Sequence, residues 1–121
     1  MAKFAPDAGM DAALTYYTDA DKMVLCSAQP TTYAQANATY ALADVVPTFD
    51  ALADGDTSGR KRRVQAKTGV PVDSSGTATH VALIRTTDST LRYVTTTTSQ
   101  AVSAGGVADV SFWDIEINDP T

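Results

Sequence analysis

The chain has 121 residues, with 9 basic and 14 acidic side chains, a formal net charge of −5 and a single Cys. That length suits one domain and leaves no room for separate cofactor and substrate domains. The acidic balance disfavours general nucleic-acid binding, because the net field repels phosphate; one Cys cannot form an internal disulfide, and one Cys with one His makes no zinc-type cluster.

The N-terminus MAKFAPDAGM lacks the apolar core of a secretory signal. Residues 7 to 18 read as a short helix. Met10, Ala13, Leu14 and Tyr17 form one apolar stripe, and Asp7 is placed to cap free N–H groups. Asp19 and Asp21 suit a helix end poorly, so the helix stops near Thr18. By segment, 1–7 reads as an extended N-terminal arm, 8–22 as the helical segment and 23–121 as mainly β. MVLCSA at 23–28 is a short apolar run closed by Gln29-Pro30. Residues 23 to 43 carry no charge, but Gln, Pro, Asn and Thr there would leave polar groups unsatisfied in lipid, so a membrane span is not expected. Thr32 and Gln35 are spaced as a weak capping box for one or two helical turns. An irregular segment follows from Tyr40 and ends in the loop ADGDTSG.

From Arg60 to Val72, Lys61, Arg63, Gln65 and Lys67 alternate with Arg62, Val64, Ala66 and Thr68, giving one wet and one partly buried face. DSSG at 73–76 is a turn. THVALIR at 79–85 places Val81 and Leu83 on one face, with His80, Ala82 and Ile84 on the other, both largely covered. A turn at 86–90, with Asp88 at its tip, precedes the strand LRYVTTTT, and SAGG at 103–106 is the next turn. In a last strand over 107–118, Val110 and Phe112 share one parity while Trp113, Ile115 and Ile117 share the other; a β-bulge near Phe112–Trp113 would turn both sets inward. With 13 Asp to 1 Glu, 18 Thr and 6 Leu, turn and strand formers outweigh helix formers. The fold class is mainly β with a short N-terminal α-helix, a single small antiparallel sandwich or barrel-like domain.

Few patterns point to chemistry. Cys26, His80 and an Asp could make a nucleophile, base and orienter, but no nucleophile-elbow glycines flank Cys26, and a Cys in an apolar run usually behaves as a buried hydrophobe. Asp50, Asp54 and Asp56 with Gly55 and Gly59 lack the spacing of a calcium loop and read as turn chemistry. No catalytic residue, metal or cofactor is expected. Asn37-Ala38-Thr39 matches a glycosylation sequon, which carries no meaning without a secretory signal. The sharpest charge feature is Arg60-Lys61-Arg62-Arg63. It reads as a docking patch for an acidic protein surface, as a nucleic-acid contact, which the lack of interleaved aromatics disfavours, or as a solvated strand start balanced by the preceding Asp loop. Thr95–Thr98 could present a ligand-reading row of hydroxyls, but reads better as a strand whose β-branched residues tolerate exposure, with an edge suited to pairing with another chain.

The segment MVLCSAQPTTYAQANATYALADV resembles the LCSAQPTTYAEA…YKLA stretch of small virion structural proteins from tailed bacteriophages and prophages. THVALIRTTDSTLRYVTTTTSQAVSAGGVADVSFWDIEI is similar to the β-rich part of the same group and of small phage tail-fibre proteins. The resemblance covers about residues 8 to 118. The chain departs from it at Arg92-Tyr93-Val94 with the following Thr run, where relatives carry more Leu and Gly, and in its more basic run at 60–63. The resemblance implies a virion component without enzymatic activity and leaves its place on the particle open. The acidic, DNA-repelling charge and the thin apolar core favour a capsid decoration (cement) protein on the head exterior, bound to the major capsid protein and grouped as trimers. The alternative is a tail or head-fibre component. Lys3, Phe4, Arg60, Lys61, Arg62 and Arg63 are the expected partner contacts. The N-terminal arm would lie extended on the shell, and the bound form would be more stable than the isolated one.

Overall fold

The computed structural model describes residues 5–119. Helix α1 (Asp7–Thr18) buries Met10, Leu14 and Thr18, with Tyr17 half-buried beside them, so the expected apolar stripe faces inward. Pro6, not Asp7, occupies the N-cap, in an extended conformation, and no side chain caps the helix; Asp7 instead places its charge in the first turn, where the helix dipole favours it. The helix is shorter than the 8–22 segment expected, because Asp19 and Asp21 are drawn away from it. Asp19 binds Arg85 at 2.8 Å, and Asp21 accepts from the Thr86 N–H at 2.9 Å and from the Thr86 and Thr87 hydroxyls. Of the arm expected over 1–7, residues 1–4 lie outside the described residues, and Asp7 already belongs to the helix.

The strands, in chain order, are β1 (Lys22–Cys26), β2 (Ala41–Val45), β3 (Ala53–Asp54), β4 (Arg60–Val64), β5 (Lys67–Pro71), β6 (Gly76–Arg85), β7 (Thr90–Val102), β8 (Val107–Val110) and β9 (Trp113–Ile117). All pairings are antiparallel. One four-stranded sheet has the order β2-β1-β6-β7, a second sheet the order β3-β4-β9, and β5 pairs with β8. Strand β2 lies in the segment expected to be irregular. Its Ala-rich sequence has little strand propensity of its own, and it is held by pairing with β1.

The central strands β1 and β6 are covered on both faces, as the alternation in THVALIR implies. Met23, Leu25, Val81 and Leu83 join the larger core with Leu14, Val64, Val70, Val110 and Ile115. That core lies between the four-stranded sheet on one side and α1 with the two smaller sheets on the other. Val24, Cys26, Ala82 and Ile84 face the opposite way, beneath Tyr33, Ala36 and Tyr40. The cover on this side is a single π-helical turn (Gln35–Thr39), closed by the Tyr40 N–H donating to the Gln35 carbonyl at 2.8 Å. Thr32 Oγ1 accepts from the Gln35 N–H at 3.2 Å, while the Gln35 side chain reaches back past Thr32 to the Thr31 N–H at 2.8 Å. The capping box is thus present with its return bond moved by one residue.

Two expected strands are each divided. The 60–72 ribbon breaks after Val64, so that β4 pairs with β9 and β5 with β8. The 107–118 strand breaks at Ser111–Phe112. No bulge resolves its parity change: the chain leaves one sheet and enters the other, so Val110 and Ile115 reach the same core while Phe112 remains 55 % exposed. Register shifts occur elsewhere, in the β1–β2 and β5–β8 pairs and twice along β7. Arg92 is an extra residue between the Ile84–Leu91 and Leu83–Tyr93 pairs, and a second shift falls between the His80–Thr96 and Ala78–Gln100 pairs. The first turns Leu91 toward the smaller core and Tyr93 toward the larger one. At the end of the Asp loop, Gly59 has φ +71°, and a Cβ there would collide with the Ile117 carbonyl oxygen. Only Gly lets β4 begin so close to β9.

Candidate docking surface

The basic run divides by strand alternation. Arg60 and Arg62 turn toward α1. Arg60 binds Asp11 of the helix at 2.8 Å and Asp54 of the preceding loop at 2.7 Å. Arg62 donates to Thr18 Oγ1 at 2.9 Å and to the Asp50 carbonyl at 2.8 Å. Lys61 and Arg63 take the outer face. Lys61 binds Asp56 and lies 3.8 Å from Asp114, and Arg63 binds both oxygens of Asp114, at 2.9 and 3.3 Å. The Asp11 and Asp54 carboxylates hold the Arg60 guanidinium above its ordinary range, Asp56 raises Lys61, and Asp114 raises Arg63. In return the Arg63 hydrogen bond, with help from Lys61, holds Asp114 below the usual carboxylate range.

These four side chains therefore close ion pairs and hydrogen bonds within the chain, and two of them tie the helix to β4. Arg63 remains the more accessible of the three with ion pairs: its side chain is 39 % exposed, against 18 % for Arg60 and Lys61. Its guanidinium also lies 4.1 Å from the centre of the exposed Phe112 ring, an Arg–aromatic combination typical of protein contacts. Lys3 and Phe4, the other expected contacts, lie outside the described residues.

The acidic loop is engaged in the same network. Asp54 and Asp56 bind Arg60 and Lys61, and Asp50 accepts from Gln65 Nε2 at 2.6 Å. Cys26 and His80 are paired across β1 and β6. The thiol nevertheless approaches the Val24 and Ala36 carbonyls, at 3.8 and 4.0 Å, and His80 Nδ1 lies 2.9 Å from Thr79 Oγ1. Burial pushes the Cys26 thiol up to about 11, so at neutral pH it is protonated rather than nucleophilic.

Two further features stand out, the first beyond a reading by pattern and the second expected from the Thr95–Thr98 run. Arg92, only 8 % exposed, donates to the Tyr16 carbonyl at the end of α1 at 3.0 Å, to Thr90 Oγ1 at 2.8 Å and to Asp88 at 3.0 Å, beneath the Tyr16 ring. It places a cation at the helix C-terminus, where the dipole favours one. Asp88 is near Arg92 in sequence, but nothing local signals the contact with Tyr16, 76 positions away. The second feature is the outer edge of β7. The strand is 13 residues long and terminal in its sheet. Among the described residues, its outward backbone groups receive no backbone hydrogen bond from any other element.

No helix among the described residues is long and apolar enough to cross a membrane. No family model, curated protein or solved structure matches the chain.

Proposed function

We propose that the chain is a decoration (cement) protein of a tailed-phage head, bound to the outer surface of the major capsid protein lattice. One observation carries this reading. The two stretches that resemble phage virion proteins, far apart in sequence, form the adjacent strands at the middle of one sheet, with Met23–Cys26 paired in register against His80–Leu83. The resembling residues are thus the scaffold of the domain. Charge supports the exterior position: a net charge of −5 is repelled by packaged DNA and tolerated outside the shell. The action is mechanical. Bound across a seam, the domain buries surface on two neighbouring shell subunits, and the pressure of packaged DNA must break those contacts before the shell parts.

Particles assembled with and without the protein test the reading. Those lacking it should rupture at lower temperature and under milder osmotic shock, and particles carrying it should hold hundreds of copies. Equal robustness refutes the cement role. A few copies per particle, located at the tail or at a fibre base, assigns the chain to the tail instead.

A further inference from the structure

We propose that in the free protein β7 pairs edge to edge with β7 of a second copy, antiparallel about a two-fold axis, joining two four-stranded sheets into one. The product is a dimer in solution, in place of the trimer expected on the shell. The edge is a template of unpaired N–H and C=O groups along the longest strand of the domain. Edges that stay single are usually blunted by Lys or Pro, yet from Tyr93 to Val102 this strand has neither and carries no charge. That neutrality is what admits a second copy. Two chains of net charge −5 repel each other, and a seam free of charged side chains keeps that repulsion away from the contact.

The register follows from strand geometry. A two-fold axis perpendicular to the sheet sets residues of equal parity opposite each other. With the axis through Thr95, Thr95 meets its own copy and Val94 meets Thr96, on the same face of the joined sheet. A cross-strand Thr–Thr pair, whose hydroxyls can hydrogen-bond, is among the favourable ones. The irregularities at Arg92 and beyond Thr96 leave Tyr93–Thr96 as the regular stretch, and with the axis at Thr95 the residues paired wholly inside it are Val94–Thr96, with Tyr93 facing Thr97 at its margin. Arg92 itself is buried and engaged with Asp88, so it brings no free charge to the contact.

Closure follows from the opposite edge of the sheet. There β2 is already covered: Val72 bridges Ala43, and the Leu42 carbonyl accepts from the Asp73 and Ser74 N–H groups. A sheet with one open edge stops at a pair and does not grow into a filament.

This pairing is a property of the free protein, so its test needs no particles. Sedimentation of the purified chain over a concentration series should approach twice the chain mass. The outward-pointing amides within Val94–Thr96, those not already bonded to β6, should gain hydrogen-exchange protection as concentration rises. Thr96→Lys with Thr98→Lys, both at exposed positions, should return the protein to chain mass while the circular dichroism spectrum is retained. A wild-type monomer at every concentration, a trimer, outward amides at Val94–Thr96 whose exchange ignores concentration, or a folded double-Lys variant that still pairs would each overturn the proposal.

Discussion

Replacing Leu14 with Ala asks what holds α1 against the sheets. Leu14 is fully buried, at 0 % exposed. The same helix is also tied by Arg60 to Asp11 and by Arg62 to Thr18. Leu→Ala removes three carbons, and at about 0.8 kcal/mol per buried methylene the lost transfer energy is roughly 2.4 kcal/mol. The cavity left behind raises the cost to about 3 kcal/mol, inside the range of ~2–5 kcal/mol for such changes. In urea, with a slope of about 1.5 kcal/mol/M for a chain of this size, the unfolding midpoint should fall by about 2 M at unchanged slope. Asp11→Asn keeps the shape and removes one charge of a pair whose carboxylate is 28 % exposed. Water and salt screen that pair, so its midpoint should move much less, and less again at high salt. If Asp11→Asn lowers the midpoint as far as Leu14→Ala does, the helix is held by charge and the packing argument fails.

Two further outcomes follow from the titrating groups. Asp114 is held low by Arg63, Asp21 by the Thr86 N–H, and Asp88 by the Thr90 hydroxyl. A lowered folded-state pKa stabilises the fold above the unfolded carboxylate value of about 3.9, and that stability is lost as pH falls through the lower folded values. Urea midpoints should therefore drop below about pH 4. Asp114→Asn should be less stable at neutral pH and fall less steeply in acid; a curve parallel to the wild type would refute the assignment. Cys26, buried and pushed up to about 11, should resist an aromatic disulfide reagent at pH 8 in the folded protein and react once urea unfolds it. Labelling of the native protein within the mixing time would show an accessible thiolate.

Much of the fold was legible because alternation and turn chemistry are local. The THVALIR alternation is enough to show a strand covered on both faces, and Met10, Leu14 and Tyr17 are enough to show the inward face of α1. Strand β2 was not legible, because ALADV lacks β-branched residues until its end and is held by β1. The parity change at Phe112–Trp113 is visible in the sequence, but its cause is not. A bulge and a transfer between sheets leave the same trace in sequence, and only the partners β5 and β4 distinguish them.

The surface shows the same division. The run Arg60–Arg63 identifies a cluster of charge, but whether that charge meets a partner or the chain itself depends on where Asp11, Asp54 and Asp114 arrive. Those residues lie 49, 6 and 51 positions away from their Arg partners. By itself the sequence determined the local preferences: a short helix, strands and Asp-rich turns, with few residues suited to helices. The tertiary structure alone decided which faces are covered, which charges are satisfied and which strand is left at an edge. Those outcomes depend on contacts between distant segments, whose geometry is set only when the sheets assemble.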